Sequence, residues 1–454
     1  VSNTLPRTAI IGAGSSGITA AKGLHEKGID CTVFEASDRV GGNWVFGNVN
    51  GMSAAYRGLH INTSRERMEY TDYPMPKSYP DFPHHTHIAE YFEDYVDHFK
   101  LRPLIRFNTK VEHAAHEDGG GWTLTLGDGT TERFDALLVA NGHHWNARWP
   151  EPAFPGSDTF EGVQMHAHDY KSEDALRDKD VVVLGMGNSA MDIAVESSYV
   201  AKSTYLAARR GAWILPKYVF GRPMDQVLKN DPRVPWPIRQ RVMERIVIAQ
   251  AGRPEKYGLP KPDHHFGSAH PTVSGRILDR IGHGTVTPKP NIERLEGDRV
   301  VFTDGSCVHA DVVVYCTGYK ITFPFFDDTF ISAPDNHIEL FLRVFHPDHR
   351  DLAFIGLLQP LGAIMPLAEA QGVWVADYLS GRYVLPPRAE MVDAIAKDMA
   401  AMRKRYVTSK RHTIQVDFED YLVQMERERR EGAKRAAAAG FVPPVARHEQ
   451  AVPA

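Results

Sequence analysis

Two stretches of the chain share one pattern of apolar and polar positions: an apolar strand, a glycine-rich turn, a helix and a second apolar strand. In the first, Thr8–Ile11 runs into Gly12, Gly14 and Gly17, residues 18–27 read as helix, and Cys31–Phe34 ends at Glu35. In the second, residues 181–184 run into Gly185, Gly187 and Ala190, residues 191–198 read as helix, and residues 204–207 end at Arg209 and Arg210. Two such units in one chain predict an α/β fold with two Rossmann-like, nucleotide-binding sheets. Between them, residues 88–100 put Tyr91/Tyr95 and Phe92/Val96 on one helical face, and Trp122–Leu126 and 134–139 alternate as strands around Gly127-Asp-Gly129. Residues 216–290 are irregular and rich in Pro and Gly, Val312–Tyr315 is an apolar strand, 389–439 is helical and charged, and 441–454 reads as a frayed tail.

Composition narrows the classes. The 454 residues suffice for two or three domains, and 43% hydrophobic with 24% charged residues is ordinary globular material. Lys plus Arg number 52 against 57 acids, a net charge of −5, which gives no broad positive field for nucleic acid. Three cysteines, Cys31, Cys307 and Cys316, form no CxxC pair, so neither a zinc ribbon nor a dithiol centre is expected, and the sparse count fits a reducing cytoplasm. Residues 1–7 lack an apolar targeting core. Residues 353–376 are apolar but broken by Gln359, Pro360, Pro366, Glu369 and Gln371, which favours a buried strand, turn and helix over a membrane span.

The first turn supplies a tight bend at Gly12, close backbone approach to a pyrophosphate at Gly14, and close helix–strand packing at Gly17. Ser15 and Ser16 open the helix whose N-terminus faces the phosphates. Glu35 lies 21 residues after Gly14, where a carboxylate accepts ribose hydroxyls and repels a 2′-phosphate. In the second turn Gly185, Gly187, Asn188, Ser189 and Ala190 take the corresponding positions. Arg209, 22 residues after Gly187, and Arg210 stand where the acid would be, and a guanidinium there suits a 2′-phosphate. Site one therefore reads as FAD or NAD and site two as NADPH. Electrons would pass from nicotinamide to flavin. Without a cysteine pair, the onward acceptor is oxygen or a quinone.

The segment Phe160-Glu-Gly162-Val-Gln-Met-His166-Ala-His-Asp-Tyr170 resembles the FxGxxxHxxx(Y/F) signature of flavin-containing monooxygenases. Gly41-Gly-Asn-Trp44, Asn62-Thr-Ser, Asp72-Tyr-Pro-Met-Pro76, His270-Pro-Thr272, residues 311–319 and Gln359-Pro-Leu-Gly-Ala-Ile-Met-Pro366 resemble that family in the same order. Related Baeyer–Villiger enzymes carry Trp where this chain has Tyr170, which favours the heteroatom-oxidising branch. Cys316 stands where the family usually has Ala, and the C-terminal hydrophobic anchor of animal members is missing, as in soluble bacterial types.

The resemblance implies NADPH-dependent oxygenation of small lipophilic amines or sulfides by an FAD C4a-hydroperoxide, with NADP+ retained during the cycle. Molecular oxygen is the co-substrate, and no metal or membrane anchor is needed. The cofactor carries the hard chemistry, and the protein orients it and keeps it dry. Baeyer–Villiger oxidation of ketones by the same intermediate is the near alternative, and a flavin-bearing sensor without turnover is the alternative of another class. Relatives are often homodimers.

By the same resemblance Asn62 acts beside the reacting flavin, although Asn-Thr-Ser alone reads as turn chemistry. Asn43, Trp44, Thr63, Thr317 and Gln359 would touch cofactor. His166 and Tyr170 read as a hinge rather than as acid or base, and His84-His85-Thr-His87 as packing rather than a metal site. The expected division is 1–168 for the first part of an FAD domain, 169–310 for an inserted NADPH domain, 311–440 for the rest of the FAD domain, and 441–454 for the tail.

Overall fold

The computed structural model describes residues 5–228, 231–406, 413–445 and 447. Val1–Thr4 of the leader reading, and residues 446 and 448–454 of the expected tail, lie outside the described residues. The described residues fall into two compact units. One draws on Val1–Ser53, Arg65–His143 and Ile321–Ala454, the other on Ala54–Ser64 and His144–Lys320.

In the first unit a five-stranded parallel sheet runs in the order Leu352–Phe354, Ala136–Val139, Thr8–Ile11, Cys31–Phe34, Ile105–Arg106. Its central strand, Thr8–Ile11, is buried along its length, so it carries apolar residues without alternation. Helix Ser15–Glu26 packs on helix Met365–Leu379 through two glycines. A Cβ on Gly23 would come within 2.9 Å of the Gly372 carbonyl oxygen, so the two backbones run almost in contact. The apolar stretch 353–376 is accordingly a buried strand end, a turn and a buried helix. Among the described residues no helix is long and apolar enough to cross a membrane.

The Gly127-Asp-Gly129 turn joins Trp122–Leu126 to Thr131–Phe134, and Val111–His116 completes an antiparallel meander. The expected strand 134–139 is therefore two. Asp135 separates them, its carboxylate accepting the Arg7 backbone N–H at 2.6 Å, and Ala136–Val139 turns into the parallel sheet. Helix His85–His98 buries Tyr91, Phe92, Tyr95 and Val96 as their spacing predicts, and the His84 ring caps it by accepting from the Thr86 N–H.

The second unit repeats the plan. Its five parallel strands run Thr287–Lys289, Ser203–Ala207, Asp180–Leu184, Val312–Tyr315, Val163–His166, with a meander of Ile292–Glu296, Arg299–Phe302 and Cys307–His309. This corrects the expected boundaries. Val312–Tyr315 pairs with the glycine-loop strand of this second sheet and does not return to the first, and Val163–His166 pairs in turn with Val312–Tyr315. An apolar run reads the same for either sheet, which is why the sequence put Val312–Tyr315 in the wrong unit. Residues 54–64 also belong here, eleven residues that the sequence assigned to the first unit.

Candidate functional site

At the first glycine loop two of the three glycines are demanded by the protein itself. Gly12 has φ +101°, and a Cβ there would lie 2.6 Å from the Ala140 carbonyl oxygen. A Cβ on Gly17 would lie 1.8 Å from the carbonyl oxygen of Gly12. Gly14 is different. A Cβ there would meet only Gly42 Cα, at an ordinary 3.8 Å, so the fold alone does not require glycine at this position. Gly14 is also the N-cap of helix Ser15–Glu26 and offers no side chain to its first N–H groups, which stay available to an anion. Ser15 and Ser16 open that helix. Their carbonyls accept from Thr19, and that of Ser15 also from Tyr70, while the Ser16 hydroxyl lies against Gly356.

Glu35 is 4% exposed, with one oxygen accepting the Ala13 N–H and the other the Ser37 N–H, each at 2.7 Å. Burial raises its pKa, and the two backbone donors oppose the rise. The carboxylate therefore braces the glycine loop. The turn Gly42–Trp44 leans on the same loop, the Gly41 N–H donating to the Ala13 carbonyl at 3.1 Å. The Asn43 carbonyl accepts from Ser53 Oγ at 2.9 Å. Trp44 is half-buried. Gln359 opens a short strand paired with Gln415–Asp417, its backbone N–H on the Ile414 carbonyl at 2.9 Å.

The second loop follows Asp180–Leu184 and opens helix Asn188–Val200 with Gly187 as N-cap. Gly185 has φ +146° and abuts the Cys316 carbonyl, and Ala190 is fully buried in place of the third glycine. Asn188 Oδ1 accepts the Val273 N–H at 2.9 Å, and Thr272 Oγ1 donates to the Met186 carbonyl, so the His270-Pro-Thr272 segment is tied to this loop. The Asn188 side chain is thus structural, while the half-buried Ser189 hydroxyl makes no hydrogen bond among the described residues. Beyond Ser203–Ala207 both arginines are exposed. Arg210 sits 3.8 Å from Asp263, and Arg209 has no partner among the described residues.

The Thr317 hydroxyl donates to the Arg148 carbonyl, and the residue lies in the second unit. His166 is completely buried, its Nδ1 accepts the His168 N–H at 3.0 Å, and burial pushes its pKa down to about 4, so it stays neutral near pH 7. Burial also pushes the Cys31 thiol up to about 12 and raises that of Cys316, which keeps both protonated.

Asn62 lies in the segment 54–64 of the second unit, half-buried, with no hydrogen bond to its side chain among the described residues. The turn reading fails there, because Asp225 Oδ2, not Asn62, accepts the Ser64 N–H, at 2.6 Å; Thr63 between them is also half-buried. Sequence reasoning missed what holds this segment. The Tyr56 hydroxyl donates to Asp192, Lys217 Nζ donates to the Ile61 carbonyl at 3.3 Å, and the Glu196 carboxylate lies where a Cβ on Gly58 would be. Tyr170 donates to the other Glu196 oxygen at 2.5 Å. The signal was present: Asp192 and Glu196 stand four apart in a helix otherwise apolar from Met191 to Val195.

A glycine the fold does not need, an uncapped helix N-terminus and an unpartnered guanidinium fit two phosphate-bearing cofactors. Comparison with known proteins agrees. The flavin-binding monooxygenase-like family model matches residues 6–434. Flavin-containing monooxygenase 5 of Mus musculus is 39% identical over 438 residues, covering 92% of this chain and 82% of that protein. The structure of S-allyl-L-cysteine S-oxygenase from Allium sativum superposes with a TM-score of 0.71 at 27% identity, covering 96% of this chain and 93% of that one. Cyclohexanone monooxygenase from Rhodococcus sp. Phi1, bound to NADP+, shares the fold with a TM-score of 0.70 at 18% identity, covering 97% and 98%.

Proposed function

The chain belongs to the flavin-binding monooxygenase-like family, and from that premise we propose that the acid-ended loop of its first unit holds FAD and the arginine-ended loop of its second holds NADPH. The protein is an NADPH- and FAD-dependent monooxygenase of soft nucleophiles. Bound there, the two cofactors supply hydride transfer from nicotinamide to flavin and activation of molecular oxygen by the reduced flavin.

The chain's own residues do the rest. The N–H groups after Gly14 receive the flavin pyrophosphate, and Glu35 holds the loop that presents them. The N–H groups after Gly187 and the Ser189 hydroxyl receive the second pyrophosphate, and Arg209 pairs with the 2′-phosphate. Asn62 offers a free amide to the reacting groups, donating through Nδ2. Trp44 and Gln359 line the flavin. His166, buried and neutral, and Tyr170, bonded to Glu196, hold the second sheet together and move no proton. The observation that carries this reading is the contrast between a buried Glu35 and an exposed, unpaired Arg209 at equivalent strand ends.

Tyr170, where ketone-oxidising relatives carry Trp, favours small amines and sulfides as substrates. A cytoplasmic setting fits three free cysteines, and a homodimer fits the family. Incubation with NADPH and oxygen, once with a methyl aryl sulfide and once with a cyclic ketone, tests the substrate class. Sulfoxide from the first is expected. Lactone from the second, with no sulfoxide, would move the protein to the Baeyer–Villiger branch.

A further inference from the structure

Residues 54–64 belong to the second unit because that unit grips them at four points. The Arg57 N–H donates to the Lys171 carbonyl at 2.8 Å, the Tyr56 hydroxyl to Asp192, Lys217 Nζ to the Ile61 carbonyl at 3.3 Å, and the Ser64 N–H to Asp225 at 2.6 Å. One of them, the Tyr56 bond, reaches helix Asn188–Val200. Asp192 is the fifth residue of that helix, just over one turn from the N-terminus assigned to the nicotinamide cofactor. Tyr56 is 5% exposed and packs its ring 5.8 Å from Tyr170, inside the core of the same unit. Burial disfavours a charged Asp192, while the Tyr56 bond and Lys217 favour it, so unseating the segment would take the phenol from the acid. Such a buried hydrogen bond to a carboxylate is among the stronger kinds, and losing it leaves a desolvated partner behind. Asn62 follows the Lys217 contact by one residue and makes no bond of its own.

We propose that Tyr56, Asp192 and Lys217 form a clamp that fixes the placement of Asn62 to the NADP-binding helix, and so act as positioning residues for Asn62 in the oxygenation reaction. The proposal rests on the reading of Asn62 given above. A segment that sets a reacting amide needs to be held within about half an ångström, and a side-chain bond to a rigid helix, with backbone bonds to Lys171, Lys217 and Asp225, does that better than the loop's own turn could. The Asn-Thr-Ser sequence would otherwise leave the amide free to cap its own backbone. Here Asp225 has taken that donor, and the amide is released for use.

The test uses the FAD-loaded enzyme with NADP+ present and compares wild type, Tyr56→Phe, Lys217→Gln, Asn62→Ala and the Tyr56→Phe/Asn62→Ala pair. Hydrogen exchange of peptides covering 54–64 should quicken about 10-fold or more in Tyr56→Phe and Lys217→Gln, and stay at the wild-type rate in Asn62→Ala. Hydrogen peroxide released per NADPH consumed should rise about 2- to 12-fold in Asn62→Ala, the effect of one neutral hydrogen bond. Tyr56→Phe should raise it too, and the pair should leak no more than Asn62→Ala alone. Wild-type exchange in both clamp variants would overturn the clamp. A full additional rise in the pair would overturn its action through Asn62. An Asn62→Ala enzyme with wild-type peroxide release would instead overturn the role of Asn62 itself, and the exchange rates would still decide the clamp.

Discussion

The two units carry the same sheet plan but end the strand after the glycine-loop helix on opposite charges, and the two charges are housed differently. Glu35 is almost fully buried, with both oxygens on backbone N–H groups of its own loop, so it is a structural brace before it is a ligand. Arg209 is exposed and unpartnered among the described residues, so its guanidinium is spent on nothing in the protein. A cofactor that stays bound can share a residue with the scaffold. One that must exchange every turnover is better served by a solvated arginine that pairs only when its phosphate arrives. The lesson extends to the helices that follow. The first is pressed against a glycine-lined helix, whereas the second carries two acids, Asp192 and Glu196, that accept from buried tyrosines.

The largest expected effect breaks the first loop. Gly17→Ala drives a methyl group into the Gly12 carbonyl, 1.8 Å away, and should abolish FAD retention together with a loss of about 3 kcal/mol or more of stability. Gly14→Ala should instead fold with stability within about 1 kcal/mol of wild type, because its methyl group meets nothing closer than 3.8 Å, while flavin affinity falls. Thermal unfolding of the flavin-free proteins, alongside flavin absorbance after purification, separates the two. Equal destabilisation by both substitutions would mean that the protein, not a cofactor, asks for glycine at 14.

A smaller effect sharpens the contrast between the acids. Burial raises the pKa of both Glu35 and Glu196, but only Glu35 has backbone N–H donors to oppose it. Glu196 is pushed up to about 7 from 4.5, with Asp192 and Glu173 adding to the rise and Arg57 and the Tyr170 bond opposing it. Between those values the native protein keeps a proton that the unfolded chain has released, so this group's contribution to stability falls as pH rises through the window. Glu196→Gln should therefore stabilise at pH 8, by up to about 3 kcal/mol, and be nearly neutral at pH 5. Denaturant titrations at the two pH values check this. A gain at pH 5 matching that at pH 8 would show that Glu196 is ionised throughout.

The glycine loops, their strands, the acid and the arginines were legible because each is local, a strand end and a helix start joined by a fixed number of residues. What was not legible was non-local. Val312–Tyr315 is an apolar strand in any sheet, and only its pairing with Asp180–Leu184 assigns it. The bond from the Thr317 hydroxyl to the Arg148 carbonyl, 169 residues away, could not be read from spacing. Asn62 was named by resemblance alone, and the partners that hold its segment lie far along the chain at 192, 217 and 225. Spacing reveals a motif within one supersecondary unit but not a contact that the fold makes afterwards.

The claim that the two loops divide their cofactors by charge is tested most directly by calorimetric titration of the FAD-loaded enzyme with adenosine 2′,5′-bisphosphate and with 5′-AMP. The 2′-phosphate should tighten binding about 10- to 150-fold, the range for a hydrogen bond to a charged group, and Arg209→Ala should remove most of that preference. Equal affinity for the two nucleotides in the wild-type enzyme would contradict the assignment of the second loop to NADPH.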